Sequence, residues 1–527
     1  MSGRRNRDKH WYDWLSKITQ ALFNRVFIIL LLLCLEIGWA FLTLNRLSAY
    51  YTYVRVAVAI VSFLVVWGVS SGEQNPAYKL SLSILILAVP MLGIPFYVLT
   101  GDYNLKKRGL KRRSALQHAR VRQFFPGSAD VEERLRLTDE RVFRQTNYLK
   151  FRGFPAYDHT EVMYLPDGAA YFDRLIEELK KAEHFIFIEY FIIARGQIWD
   201  RVLDVLKERA AAGVEIRLLY DDFGCVFLLP YHYEKKLARF GIIARVFNPL
   251  NLIFSVVMNH RDHRKVVVID GNVGFTGGIN IGDNYANITH PYGEWKDNGV
   301  MLRGEGVWNL TGMFLEMWNV MGKSDLDYEP YRPDVWHKRA YGGTDSGYVQ
   351  PYADDPMDNE RVGETVYLQM LSNAKKYAWI MTPYLIIDNE MMTALTAAAK
   401  SGVDVRIITP GIPDKKLIFL LTQSYYGQLI RSGVRIYQFT PGFVHAKTFL
   451  CDDEIGTVGS VNLDFRSLYL HYECGTLMYR TPCLASMKRD FEAVMGRCEE
   501  ITDLHLSKKN VVQRAMQAFL RLCAPLL

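Results

Sequence analysis

Two polar motifs with one shared internal spacing constrain this 527-residue chain more than any other feature. The first reads His263-Arg-Lys265-Val-Val-Val-Ile-Asp270 and continues to Gly277-Gly278-Ile-Asn280. The second reads His445-Ala-Lys447-Thr-Phe-Leu-Cys-Asp452 and continues to Gly459-Ser460-Val-Asn462. In both, Lys follows His by two residues, Asp follows Lys by five, the first Gly follows Asp by seven, and Asn comes three later. A lone His-x-Lys is common by chance, but two copies with identical spacing point to a chain built twice.

The flanking sequence repeats with the motifs. His184–Ile193 followed by Ala212–Leu219 matches Tyr377–Ile387 followed by Ser401–Ile408. Each copy has a β-rich apolar run, a helical pattern, a glycine and a second apolar run, which is the sequence form of a β-α-β unit with buried parallel strands. Gly241 and Gly433 then start a further strand in each copy. The predicted fold class is α/β. Two tandem halves, each a mixed or parallel sheet flanked by helices, are related by a pseudo-two-fold and preceded by an N-terminal helical membrane region. The expected boundaries are 1–115 for the membrane region, 116–335 and 336–506 for the halves, and 507–527 for a C-terminal basic amphipathic helix. Residues 323–360 have little periodicity and read as the connection between halves.

The motif residues suit one kind of chemistry. A two-residue step along a strand puts His and Lys on one face, with apolar neighbours turned to the core. Glycines let the next turn approach closely, and Asn adds an amide beside it. Two such halves across a dyad offer two facing imidazoles ringed by Lys265, Lys447, Asn280 and Asn462. A phosphate diester fits that arrangement. One imidazole attacks phosphorus, the other protonates the leaving alkoxide, and the surrounding donors take up charge on the non-bridging oxygens. This route calls on no metal or cofactor. The spacing does not say which histidine is the nucleophile.

Three apolar runs occupy the N-terminal region: Val26–Leu44, Val54–Val69 and Leu80–Leu99. By the ~20 residues a spanning helix needs, the first and third can cross a bilayer and the second is marginal. Basic residues precede the first run and follow the third, so both flanks are expected on the cytoplasmic side. Two crossings with one run shallow or re-entrant satisfy that. Glu36, inside the first run, is expected to face a neighbouring helix. A net charge of +7 concentrated beside the apolar runs and in the tail suits anionic headgroups, although charge alone does not separate lipid from nucleic acid. Seven scattered cysteines without a C-x-x-C pair argue against a disulfide framework or zinc site.

The paired His-x-Lys-x4-Asp-x6-Gly-[Gly/Ser]-x-Asn pattern resembles the phospholipase D superfamily. Within it, Asn75–Lys79, Gly277–Asn280, Asn462–Ser467 and the terminal Ala-Pro-Leu-Leu527 resemble bacterial cardiolipin synthases over nearly the whole chain. The resemblance implies a phosphohistidine intermediate, with His263 as nucleophile and His445 as acid and then base. It makes Asp270 and Asp452 the motif acids, counted among the catalytic positions but expected to support the strand and its Lys. It gives Glu473 and Asp297 the role of holding the histidines, with Ser460 and Gly278 beside the phosphate. The implied partners are phosphatidylglycerol and cardiolipin, in a multi-pass cell-membrane protein that binds no nucleic acid. His471, where the family pattern has Asn, and the additional apolar run are departures. Asn248–Met258, an apolar insertion before the first motif, is expected either to face the bilayer or to join the core. A phospholipid hydrolase, a phosphatidylserine synthase-like transferase or an inactive membrane-tethered scaffold would share the motifs.

Overall fold

The computed structural model describes residues 51–100, 105–249, 260–322, 327–333, 347–507 and 510–526. The first apolar run with Glu36 lies outside the described residues, as do residues 250–258 of the apolar insertion Asn248–Met258. The chain divides into two compact units: residues 1–108 with 251–257 and 525–527, and residues 109–250 with 258–524.

In the smaller unit the second apolar run forms α1 (Tyr51–Ser70). The third run is not one helix. It breaks into α2 (Pro76–Ala88) and α3 (Pro90–Thr100), because Pro90 cannot continue the hydrogen-bond ladder of the helix before it. At ~1.5 Å per residue these are ~20 and ~16 Å long, short of the ~30 Å hydrocarbon core. Gly93 is what lets α3 fold back, since an added Cβ would lie 2.5 Å from the Ile86 Cα. The expectation that this run crosses as a single span is therefore corrected. Among the described residues no helix is long and apolar enough to cross a membrane. In α1, Val56, Ile60, Phe63, Leu64 and Trp67 are nonetheless exposed.

The larger unit holds two sheets built to one plan. The first half supplies β1 (Thr160–Leu165), β2 (Phe185–Tyr190), β3 (Glu215–Asp221), β4 (Ile243–Phe247), β5 (Arg261–Asp262), β6 (Lys265–Ile269), β7 (Val273–Gly277), β8 (Glu294–Lys296) and β9 (Gly299–Gly304). Its sheet runs β1-β9-β7-β6-β2-β3-β4. The second half supplies β10 (Tyr348–Asp354), β11 (Tyr377–Met381), β12 (Leu385–Ile386), β13 (Asp404–Pro410), β14 (Arg435–Phe439), β15 (Gly442–Val444), β16 (Thr448–Cys451), β17 (Ile455–Gly459), β18 (Leu463–Asp464), β19 (His471–Tyr479) and β20 (Cys498–Ile501). Its sheet runs β10-β19-β17-β16-β11-β13-β14-β20, the same order with one added edge strand. Part of the stretch read as a connection is thus β10, the outer strand of the second sheet.

The repeat units fold as their pattern dictates. β2 and β3 are parallel and joined by α4 (Gln197–Ala211); β11 and β13 are parallel and joined by α6 (Asn389–Lys400). Every residue of β2 and of β6 is buried, and each fully buried Val or Ile contributes ~1.5–3 kcal/mol of transfer free energy. Helix α5 (Val307–Val320), buried along its whole length, packs on β2 and β6 of the first sheet and on β10 of the second.

The halves also exchange strands. β5 of the first half pairs in parallel with β19 of the second, and β15 of the second pairs in parallel with β8 of the first. β5 leads into His263 and β15 leads into His445. The six described cysteines are unpaired thiols.

Candidate active site

Each motif histidine directly follows an exchanged strand; Lys265 is the first residue of β6, and Lys447 immediately precedes β16. The register Tyr190↔Lys265 puts the start of β6 at the carboxyl end of β2, and Met381↔Thr448 puts the start of β16 at the carboxyl end of β11. The His263 amide donates to the Tyr472 carbonyl at 2.9 Å, and the His445 amide donates to the Lys296 carbonyl at 2.7 Å. Each acceptor immediately precedes a carboxylate of the opposite half, and that carboxylate receives the imidazole. His263 Nδ1 lies 2.9 Å from both oxygens of Glu473, and His445 Nδ1 lies 2.6 Å from Asp297 Oδ2. Both carboxylates are wholly buried, and the histidines are 6% and 8% exposed.

This reciprocal clamp fixes the tautomer. A carboxylate accepting at Nδ1 places the proton there and leaves the Nε2 lone pair free. Burial pushes His263 down to about 3 and His445 down to about 4, so both imidazoles rest neutral. Burial also pushes Glu473 and Asp297 up, but their imidazole partners outweigh it and hold both below the usual carboxylate range. Lys265 and Lys447 are buried, and each ammonium donates to the carbonyl of its own motif histidine. Burial lowers them to about 8 and about 7 respectively. Lys265 also depresses His445 and Lys447, and Asp297 and Glu473 each act on both lysines. The two motifs therefore share one electrostatic pocket.

The two carboxylates are supported differently. Ser460 Oγ and Ser467 Oγ each donate to Glu473 at 2.5 Å. Among the described residues no hydroxyl donates to Asp297; its Oδ1 accepts from the Asn298 amide at 2.9 Å. Gly278 occupies the position equivalent to Ser460, and a Cβ there would lie 2.3 Å from Asp297 Oδ1. The asparagines differ as well. Asn280 is spent on the Ile192 amide and the Tyr285 hydroxyl, whereas Asn462 Oδ1 is buried without a partner.

Asp270 and Asp452 stand at the other end of the motif strands. Asp270 accepts from the amides of Glu183, His184 and Phe185 at 2.8 Å each; Asp452 accepts from those of Lys375, Lys376 and Tyr377 at 2.7 to 2.9 Å. Both have positive φ, 50° and 59°. They pin the entry to β2 and β11, and neither carboxylate contacts a motif Lys or His. As placed here, both side chains hold the fold.

Several neighbours escaped sequence reasoning. Phe191 packs edge-on against His263, with ring centroids 4.9 Å apart, and Trp295 and Tyr285 pack against His445 at 5.3 and 5.6 Å. No periodicity marks an aromatic as a wall for an imidazole. Ser467, which donates to Glu473, carries no spacing signal for that role. Arg264, inside the first motif, turns away to Glu189, 2.8 Å from its Nε. His471 stands 3.7 Å from Glu473, and among the described residues neither of its ring nitrogens has a hydrogen-bond partner. His263, His471 and Glu473 bring ligand atoms within 4.8 Å of one another, a spacing that could admit a metal ion. The Glu473 oxygens are already engaged by His263 and two serines.

Two exchanged halves that each deliver a His-x-Lys motif to a common pocket define a protein of the phospholipase D type. A family described as "cardiolipin synthase, PLD-like domain" matches residues 175–292 and 367–495. A cardiolipin synthase of Geobacillus thermodenitrificans is 32% identical over 91% of this chain and 94% of its own length. Cardiolipin synthase 1 of Bacillus anthracis is 31% identical over 92% and 96%. An uncharacterized protein of Streptococcus mutans is 43% identical over 84% and 95%. The crystal structure of phosphatidylserine synthase from Haemophilus influenzae shares the fold, with a TM-score of 0.53 at 16% identity over 73% of this chain and 98% of that one. The chain belongs to the bacterial cardiolipin synthase family.

Proposed function

We propose that the protein is a phosphatidyltransferase that makes cardiolipin and glycerol from two molecules of phosphatidylglycerol. His263 Nε2 attacks phosphorus of the first lipid; a P–N bond forms, the P–O bond to glycerol breaks, and His445 gives its proton to the departing alkoxide. His445 then takes the proton of a terminal hydroxyl on the second phosphatidylglycerol. That oxygen attacks phosphorus, the P–N bond breaks, and cardiolipin leaves with His263 restored. Lys265, Lys447 and the Asn462 amide take up charge on the non-bridging oxygens. Burial keeps His445 neutral in the empty pocket; the anionic diester, once bound, raises its proton affinity, and Nε2 takes up from water the proton that it then gives to the alkoxide.

The observation that carries this reading is the reciprocal clamp: each imidazole is oriented by the other half's carboxylate, so neither half is complete alone. Glu473, with two serines behind it, is the more firmly held carboxylate and supports His263 as the group that becomes cationic on phosphorylation. In this reading residues 1–115 form the membrane-attachment region, 116–335 and 336–506 the pseudo-two-fold halves, and 507–527 an accessory tail. The protein works at the cell membrane with its catalytic part on the cytoplasmic side. The test is purified protein with labelled phosphatidylglycerol alone. Cardiolipin, equimolar glycerol and an acid-labile phosphohistidine, lost in His263→Gln, are the expected products. Phosphatidic acid without cardiolipin would replace this reading with a hydrolase.

A further inference from the structure

We infer that the catalytic unit carries its own bilayer-docking face, made by the two loops that border the histidines and by the C-terminal helix. The inference rests on the lipid-transfer reading above and adds where the unit meets an anionic lipid surface.

The first loop leaves the carboxyl end of β3. Asp221, the last residue of β3, accepts from the Asp262 amide at 3.1 Å, one residue before His263. Phe223 lies under the Arg261 guanidinium, 5.1 Å from ring centroid to Cζ. Beyond these anchors the chain turns outward, and Phe227 and Tyr231 are each 87% exposed, with Leu228 beside them also exposed. A large apolar side chain left this bare on a short loop lowers no free energy in water. The helical turn that follows, Tyr233–Ala238, exposes Lys235 and Lys236.

The equivalent loop of the second half leaves the carboxyl end of β13. The Gly411 and Ile412 amides both donate to the Gly442 carbonyl in β15, the strand that leads into His445. Ile412 and Leu417 are exposed here, flanked by exposed Lys415 and Lys416. Leu417 opens α7 (Lys416–Arg431). The last long helix, α8 (Val511–Cys523), lies along α7. Gln517 Nε2 donates to the Leu420 carbonyl at 3.1 Å, Arg521 reaches Gln428 at 3.2 Å, and its guanidinium covers Tyr425 at 4.4 Å. That register is parallel, so the first turns of α8 run abreast of Leu417. Val512, Met516 and Phe519, spaced as one helical stripe, are exposed, and Arg514 and Arg521 are exposed beside them.

Both loops are tied to the strands that deliver the two histidines, so apolar tips and cationic flanks surround the approach to the pocket. Aromatic and aliphatic tips bordered by Lys and Arg match the boundary between acyl chains and anionic headgroups. Docking there carries a headgroup to the imidazoles without lifting the lipid into water.

The test uses the full chain and two substrates: phosphatidylglycerol in phosphatidylcholine vesicles, and a short-chain phosphatidylglycerol below its critical micelle concentration. Phe227→Ser with Tyr231→Ser, and separately Leu417→Ser with Val512→Ser, are expected to cut vesicle turnover by about tenfold or more while monomer turnover stays within about twofold, since only the bilayer reaction needs the buried apolar tips. Leu137→Ser, at an exposed position on the helix Ala129–Thr138, should change neither. Equal losses on both substrates, or no loss on vesicles, would overturn the docking face. Wild-type protein that forms cardiolipin from neither substrate would overturn the transferase reading instead.

Discussion

Replacing Glu473 by Gln probes the clamp at its most heavily committed atom pair. The carboxylate accepts His263 Nδ1–H at 2.9 Å on both oxygens and a serine hydroxyl at 2.5 Å on each, and it is wholly buried. An amide of the same shape must turn its NH2 towards one of these donors. The serines can rotate to accept, so the side chain stays in place, but one arm of the His263 contact is lost together with the negative charge. In the resting enzyme His263 is neutral, because burial pushes it down to about 3, and the missing charge costs little. The cost appears as phosphorus bonds to Nε2 and the ring becomes cationic. A charge-assisted hydrogen bond contributes ~1.5–3 kcal/mol, and a unit pair at 4 Å in an effective dielectric of 20 interacts by ~4 kcal/mol. Taking ~2–4 kcal/mol for the difference, at ~1.36 kcal/mol per decade, the rate of phosphoenzyme formation should fall about thirty- to a thousandfold. Because the charge develops only in the transition state, KM should hold within about threefold. Rapid-quench measurement of labelled phosphohistidine reads the step directly, with thermal unfolding as the check on folding. A fall below about threefold, or a loss confined to KM, would refute the argument that Glu473 acts on the cation at His263.

Asp270→Ala removes the acceptor of three amides and should lower stability by about 3 kcal/mol, seen as a reduced Tm, while kcat at low temperature stays near wild type. Burial lowers Lys447 to about 7 and Lys265 to about 8. As pH rises through that window the free enzyme loses a cation, so kcat/KM should fall between pH 7 and 8; Lys447→Arg should move that limb upward, and a profile flat to pH 9 would contradict it. Both imidazoles are neutral when folded, with values below the unfolded ~6.5. Their contribution to stability is therefore complete above pH 6.5 and is lost as pH falls towards 4; in detergent, wild type at pH 5 should lose about 2 kcal/mol per histidine relative to His263→Gln/His445→Gln. Gly278→Ser should sharply reduce activity and stability, because its Cβ would meet Asp297 Oδ1 at 2.3 Å, and Ser460→Gly should fold and lose only part of the Glu473 support.

What the sequence made legible was set by regular spacing. The repeated His-Lys-Asp-Gly-Asn intervals and the β-α-β pattern led to two sheets of one strand order, and the carboxylates Asp297 and Glu473 were already candidates for holding the histidines. Spacing did not reveal that each carboxylate serves the other half's histidine, because β5 and β15 are two and three residues long and carry no signature of pairing across halves. For Asp270 and Asp452 the sequence suggested support of the strand, but not which groups they hold: the three amides that each accepts lie at the entry to β2 or β11, far along the chain from the motif. The break at Pro90 was visible as a residue, but an apolar count over Leu80–Leu99 passes over it.

The exchange of strands has a consequence for how the two halves diverged. A single half folded alone would hold a neutral imidazole with no carboxylate at Nδ1, and a buried carboxylate with no donor for it, each an unpaired group that costs ~1–3 kcal/mol or more. Pairing the halves satisfies both at once, so the site and the interface are one structure. Once they are joined in a single chain, symmetry is no longer required. Glu473, longer than Asp297, reaches the imidazole with room for Ser460 and Ser467 behind it; the shorter Asp297 sits against Gly278 and is held by a backbone amide instead. Asn280 is consumed by the fold, and Asn462 keeps a buried carbonyl unpartnered in the pocket. Reaction in two steps asks two identical residues to do different work, one to carry phosphorus and one to move a proton. With His263 as the proposed phosphorus carrier and His445 as the proposed proton carrier, the unequal carboxylate shells supply a physical difference between two otherwise equal histidines.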